Sequence, residues 1–362
     1  MKKIIYFLTS LLLCVAIGAG AFAIYKSLTP ETPTTENGDA SINDGEGNAT
    51  DFEKPPIKDE TNGSTGAGTE LTPSEDETSY IAEGMEMLAG ASVYMGTDER
   101  LDPAIRFTCL VDNTLLDAVN ADKNKSFAML FAPIDYFDAV NAESTTYIDW
   151  VNAFADAGKT VVMAVYDDYG KYDDTTSYMR FTLSNVLYSN INRRFVAVGV
   201  LIDKSGAKPV YKYSAMPAGE TYRTNARSVA YVAGAALNAK AMGLDDFSES
   251  QMAKLKSYLD MAVDEANGLS AHTNNGDMPV LTITNGTSVK LPSNGTHIIN
   301  GVIEPEGVDV PVKFETSNDA VAKVSETGII TTYLFGTAVI KIYVAGQVYT
   351  VSVDCSSNVQ YA

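Results

Sequence analysis

The chain has 362 residues, 26 of them basic and 46 acidic, for a formal net charge of −20. That length exceeds what one hydrophobic core usually organises, so two folded domains plus tails are expected. The acidic balance, with no cluster of Lys and Arg, argues against a nucleic-acid binder, which must neutralise phosphates.

The first apolar run, Ile4 to Ile24, carries no charge and follows Lys2 and Lys3. It is long enough to cross a bilayer as a helix, and the paired lysines place its start on the cytoplasmic side. Residues 1–28 therefore read as a single-pass anchor with the N-terminus inside. Ala21-Phe22-Ala23 also fits a signal-peptidase site, and cleavage after Ala23 would secrete the remaining chain. Either way, the chain beyond residue 28 is expected outside the cell. Cys14 reads as a small apolar residue of this run rather than a lipidation site, because Leu13 stands where such sites want a small residue.

Residues 29–79 turn to Thr, Glu, Asp, Gly, Asn, Ser and Pro. Such a segment cannot bury enough surface to offset its ordering entropy and reads as a disordered acidic spacer.

Residues 80–270 read as a first folded domain. Alternation or short apolar runs mark strands at 91–95, 105–111, 127–131, 161–166, 178–183, 195–202 and 210–213. The last long run, Phe195 to Ile202, is apolar on both faces and suits a central strand. Cys109 alternates with Phe107 and Val111, which puts it on the apolar face of its strand. It therefore reads as a buried free thiol, with a bridge to Cys355 unsupported. Tyr147, Trp150, Val151 and Phe154 make one helix face, so Trp150 reads as core. A helix marked by Val229, Val232, Ala233, Ala236 and Leu237 should end at Gly243. A second opens on a Ser248–Gln251 capping box and ends near Gly268. Strands then helices suggest an α+β domain, a largely antiparallel sheet or sandwich with helices upon it.

Gly90-Ala91-Ser92-Val93, Ile105-Arg106-Phe107, Leu130-Phe131-Ala132-Pro133 with Tyr136, Arg194-Phe195-Val196-Ala197 and Arg227-Ser228-Val229 resemble an uncharacterised module of surface proteins from Gram-positive anaerobes. Tyr94 stands where that module has an arginine, and the resemblance implies no known activity.

Residues 279–355 carry Asn285-Gly286 and Asn294-Gly295 turns around a short strand, Ser288 to Leu291. Phe314, Ser317-Asn318, Val321-Ala322-Lys323-Val324, Gly328-Ile329-Ile330, Gly336-Thr337-Ala338 and Ile340 come next along the chain. This series resembles the bacterial immunoglobulin-like domain, group 2, of intimin- and invasin-type adhesins, with Phe314 in place of the commoner tryptophan. The resemblance implies an all-β sandwich without a catalytic site. Alternating β-branched runs at 339–344 and 348–353 agree with strands.

Candidate chemistry is sparse. The loop Tyr166-Asp167-Asp168-Tyr169-Gly170-Lys171-Tyr172-Asp173-Asp174 could grip calcium or stack on a sugar, so Tyr166, Asp167, Asp168, Tyr169, Tyr172 and Asp173 are the candidate ligand-binding residues. Its spacing does not match the EF-hand, and a solvated hairpin loop is the plain alternative. His272 and His297 read as surface residues, since metal sites need several ligands. No metal ligands, cofactor or catalytic residues are assigned. Ser205-Gly206-Ala207-Lys208 matches Ser-x-x-Lys but lies between strands, so it reads as a hairpin loop. The expectation is a non-catalytic surface binding or adhesion protein with a polysaccharide or protein partner. Alternatives are a displayed polysaccharide hydrolase, for which one tryptophan is a poor sign, and a structural envelope component.

Overall fold

Nine strands of the first region line up in one sheet. The computed structural model describes residues 80–93, 103–140, 148–166 and 169–356. The apolar run 4–24, Cys14, the spacer 29–79, Tyr94, Tyr147, Asp167 and Asp168 lie outside the described residues. Among the described residues no helix is long and apolar enough to cross a membrane.

The strands are β1 (Ile81–Met87), β2 (Ser92–Val93), β3 (Ile105–Asp112), β4 (Lys125–Pro133), β5 (Val162–Tyr166), β6 (Gly170–Lys171), β7 (Thr176–Leu183), β8 (Phe195–Asp203) and β9 (Val210–Ala215). Their order is β5-β4-β8-β9-β1-β3-β7-β6, with β2 also paired to β3. The sheet was expected to be largely antiparallel, and its one parallel pair is β1 with β9. β1 was not expected from the sequence: Gly84, at φ +80°, interrupts its alternation beside the Asp112 side chain. β8 is buried over nearly its whole length between β4 and β9, as its two-sided apolar character requires. Ile105, Phe107, Cys109 and Val111 all point into the core from β3.

Helices cover both faces. Helix α1 (Asn113–Asn120) follows β3 directly. On one face α2 (Ile134–Val140) and α3 (Trp150–Asp156) bury Phe137, Trp150, Val151 and Phe154 against Leu130, Val198 and Val200. Phe137 packs on Trp150 at 4.7 Å between ring centroids and on Tyr222 at 5.2 Å, so the single tryptophan sits in an aromatic core. The buried Tyr213 hydroxyl donates to Asp149 Oδ1 and accepts from the Val151 amide, both at 2.9 Å, tying α3 to β9. On the other face lie α4 (Val229–Ala241) and α5 (Glu249–Ala266). Ser228 caps α4, and the Ser248–Gln251 capping box is formed at α5.

The remaining strands are β10 (Val280–Ile283), β11 (Ser288–Leu291), β12 (Thr296–Ile298), β13 (Gly301–Glu304), β14 (Val312–Thr316), β15 (Ala322–Val324), β16 (Ile329–Thr332), β17 (Gly336–Val344) and β18 (Gln347–Cys355). They form sheets ordered β11-β18-β17-β14 and β12-β16-β15, with β10 paired to β13. Ala322 and Ile330 of one sheet share a core with Ile340, Ile342, Val351 and Val353 of the other. β11 runs parallel to the last strand, β18, and the other pairings are antiparallel. This is an immunoglobulin-like sandwich. The described chain is therefore mostly β, in several sheets with a few helices.

The two parts meet across α4. A helix apolar all round should be buried all round, and nine residues of α4 are buried. Its small side chains permit close approach from both sides. A Cβ on Gly234 would come within 3.2 Å of Val310 and Pro311, and one on Gly346, at φ +78°, within 3.0 Å of the Leu237 side chain.

Candidate functional site

The Tyr/Asp loop is divided in its roles. The ring of Tyr166, at the end of β5, lies 4.7 Å from Phe181 and 5.5 Å from Tyr169. Tyr169 also packs edge-on against Phe127 and donates its hydroxyl to the Tyr166 carbonyl at 3.0 Å. Both rings thus extend the core. Tyr172 is 52% exposed. Asp173 Oδ1 accepts from the Thr175 and Thr176 amides at 2.8 Å each, and these contacts, with the Thr175 hydroxyl, hold its carboxyl below the usual range. Lys171 Nζ reaches Asp174 at 2.6 Å. Asp173 and Asp174 are thus engaged within the β6–β7 hairpin, which leaves Tyr172 as the outward ring.

A second cluster lies where the sheet region joins the sandwich. Asp260 and Asp264 sit one turn apart on α5, so both face the connector 270–277. That connector has almost no apolar side chain, and its amides need acceptors. Asp260 accepts the Gly276 amide at 2.9 Å and the Asp277 amide at 2.7 Å. Asp264 accepts the Thr273 amide at 2.7 Å, the Thr273 hydroxyl at 2.9 Å and His272 Nδ1 at 2.9 Å. Burial alone would raise the Asp264 carboxyl, but the Thr273 and His272 contacts hold it below the usual range. The two aspartate side chains are 5% and 1% exposed and that of His272 is 13% exposed. His272 was expected at the surface; the aspartates fold it inward. His297 is half-buried, with Nε2 3.1 Å from Asn285 Nδ2.

Asp260 also lines a cavity of about 550 Å³. Leu237 and Lys240 of α4, Lys256 of α5, Asn274 of the connector and Gln347 of β18 complete much of its wall. Of these polar groups, Lys240 Nζ is held by Asp246 at 2.6 Å and Gln347 Nε2 by the Pro279 carbonyl at 2.7 Å.

No known family matches the chain, and no curated relative matches it. Among solved structures it resembles a three-domain immunoglobulin segment of titin at 8% identity and a TM-score of 0.20, over 70% of this chain and 60% of that one. It also resembles HBP35 of Porphyromonas gingivalis at 12% identity and 0.17, over 75% and 64%. An ectodomain fragment of ICAM-5 matches at 8% and 0.19, over 75% and 54%. The chain spans less than two thirds of each, and at such scores nothing about its function rests on them.

The joint itself is built from groups that carry no sequence motif. Asn238, 1% exposed in the middle of α4, donates Nδ2 to the Pro311 carbonyl at 3.0 Å and the Tyr343 carbonyl at 3.2 Å. Its Oδ1 accepts the Gly346 amide at 2.8 Å. Arg194 grips Asp309 with two bonds of 3.0 and 2.6 Å, and the Asp309 amide donates to Asn192 Oδ1 at 3.1 Å. An amide side chain inside an otherwise apolar helix was the one available signal for Asn238. For Asp260 and Asp264 it was an acidic pair next to the apolar stripe Leu255, Leu259 and Val263.

Proposed function

We propose that the chain is an exported, non-catalytic surface protein that binds a surface polysaccharide or protein, with its sheet region and sandwich held as one rigid head. The observation that carries the rigid head is the locked joint: Asn238 and Arg194 bond across it, and close-packed glycines bring the two parts into contact. A fixed joint suits presentation of a binding surface at a set distance from its support. Lys2 and Lys3 before the apolar run support attachment to the cell membrane with the N-terminus inside, or secretion after Ala23. The acidic composition of 29–79 supports an extended spacer beneath the head. The series Phe314, Ser317-Asn318, Gly328 and Gly336 supports assignment of 279–355 to the group 2 adhesin-type domain.

A glycan array and a peptidoglycan pull-down with the intact chain test the reading. Binding to at least one surface polymer or displayed protein, without turnover, is expected. Loss of that binding in Tyr172→Ala would place it at the β6–β7 hairpin. Absence of any binding, or cleavage of the polymer, overturns the reading.

A further inference from the structure

The His272 ring leaves a buried nitrogen without a hydrogen-bond partner. Asp264 Oδ2 lies 2.9 Å from Nδ1 and, as a carboxylate, can only accept, so the proton of the neutral ring sits on Nδ1. The lone pair is then on Nε2, which is sealed from solvent and has no hydrogen-bond partner. Nε2 faces Asp260 Oδ2 at 3.8 Å, beyond hydrogen-bond length. That oxygen already accepts the Gly276 amide. A sealed, unpartnered imidazole nitrogen thus faces a carboxylate oxygen too distant to bond it, with Asp264 adding a second negative charge: one possible ligand atom from each of the three residues lies within 4.8 Å of the others. Positive charge in the gap would resolve the conflict.

We infer that the gap between His272 Nε2 and Asp260 Oδ2 binds a divalent first-row cation, zinc by its donor chemistry. Zinc sits about 2.0–2.2 Å from imidazole nitrogen and carboxylate oxygen, so one ion spans 3.8 Å with an angle near the ion of about 130°. Asp264 plays the part of the carboxylate that fixes the tautomer and orientation of a metal-binding histidine, which makes it a positioning residue. Calcium fits poorly, because it wants six or more oxygens and no imidazole. Asp260, one of the two ligands, also lines the cavity of about 550 Å³ described above. Bound in the gap, the ion fastens the connector to α5 at the joint. The inference stands apart from the proposed surface role.

The chain has only two histidines, so nitrogen NMR of the untagged, chelator-stripped protein resolves both rings. Titration with zinc chloride should show one ion per chain by calorimetry. It should shift the Nε2 resonance of His272 while leaving His297 unmoved, and raise the melting temperature; calcium chloride should do none of these. His272→Gln and Asp260→Asn should each weaken zinc binding at least about 10-fold, and Asp264→Asn about 10- to 100-fold. Should a variant fail to fold, the wild-type ring shift alone decides. No zinc uptake overturns the inference, as does uptake that leaves the His272 ring unmoved. A His272 ring protonated on both nitrogens and indifferent to zinc would show a plain ion pair and also overturn it.

Discussion

Replacing Asn238 by alanine removes three hydrogen bonds from the joint and strands the Pro311 carbonyl and the Gly346 amide, while the Tyr343 carbonyl keeps its place in the ladder opposite Lys313. Each stranded buried group costs about 1–3 kcal/mol and the bond lost at the Tyr343 carbonyl about 0.5–1.5 kcal/mol, which sets a range of roughly 2.5–7.5 kcal/mol. Water entering from the adjoining cavity can reach some of these groups, so the expected loss is near the lower end, about 3–5 kcal/mol. Urea unfolding measures it with two local probes: Trp150 emission for the sheet region, and labelling of Cys355, resolved by mass spectrometry, for the sandwich. In the wild type the probes should report one coincident transition. In Asn238→Ala, Cys355 should open at lower urea than Trp150 reports. A loss under about 1 kcal/mol would refute the reasoning, and so would separate transitions in the wild type.

Arg194→Ala removes a bidentate pair whose arginine is half exposed, so equilibrium unfolding should register only about 0.5–1 kcal/mol. Trp150→Ala empties the aromatic core around Phe137; scanning calorimetry should show a loss of about 3–5 kcal/mol. Burial pushes the Cys109 thiol from 9.0 up to about 12, so it should resist thiol reagents until denaturant is added. Because that folded-state value lies above the unfolded one, the thiol's contribution is full below pH 9 and is lost as pH rises toward 12. Cys109→Ala should flatten the alkaline fall in stability, measured by unfolding at stepped pH. Tyr343, pushed up to about 12 by burial and its bond to Glu315, should leave a residual fall.

Much of the fold could be read where one face or both faces were apolar. β8 announced itself by its two-sided run, β3 by alternation through Cys109, α5 by its capping box and Trp150 by its stripe. β1 could not be read, because Gly84 breaks its pattern and its parallel partner β9 lies far along the chain. Helices α1 and α2 are short and follow strands without a break, so no loop signal separates them. The site residues were harder for a different reason. Asn238, Asp260 and Asp264 work through backbone groups up to 108 positions away, and side chain-to-backbone bonds leave no spacing motif. His272 was misplaced because the connector looked polar enough to be wet, whereas the aspartates beneath it satisfy its amides and draw the ring inward.

The central claim is that sheet region and sandwich form one rigid head. Spin labels on Ser205→Cys, in the exposed β8–β9 loop, and Thr337→Cys, exposed on β17, read it directly in a chain with Cys14 changed to serine. Cys109 and Cys355 are buried and should stay unlabelled. Pulsed electron resonance should return a single narrow distance distribution, broadened in Asn238→Ala. A broad or bimodal distribution in the wild type would contradict the claim.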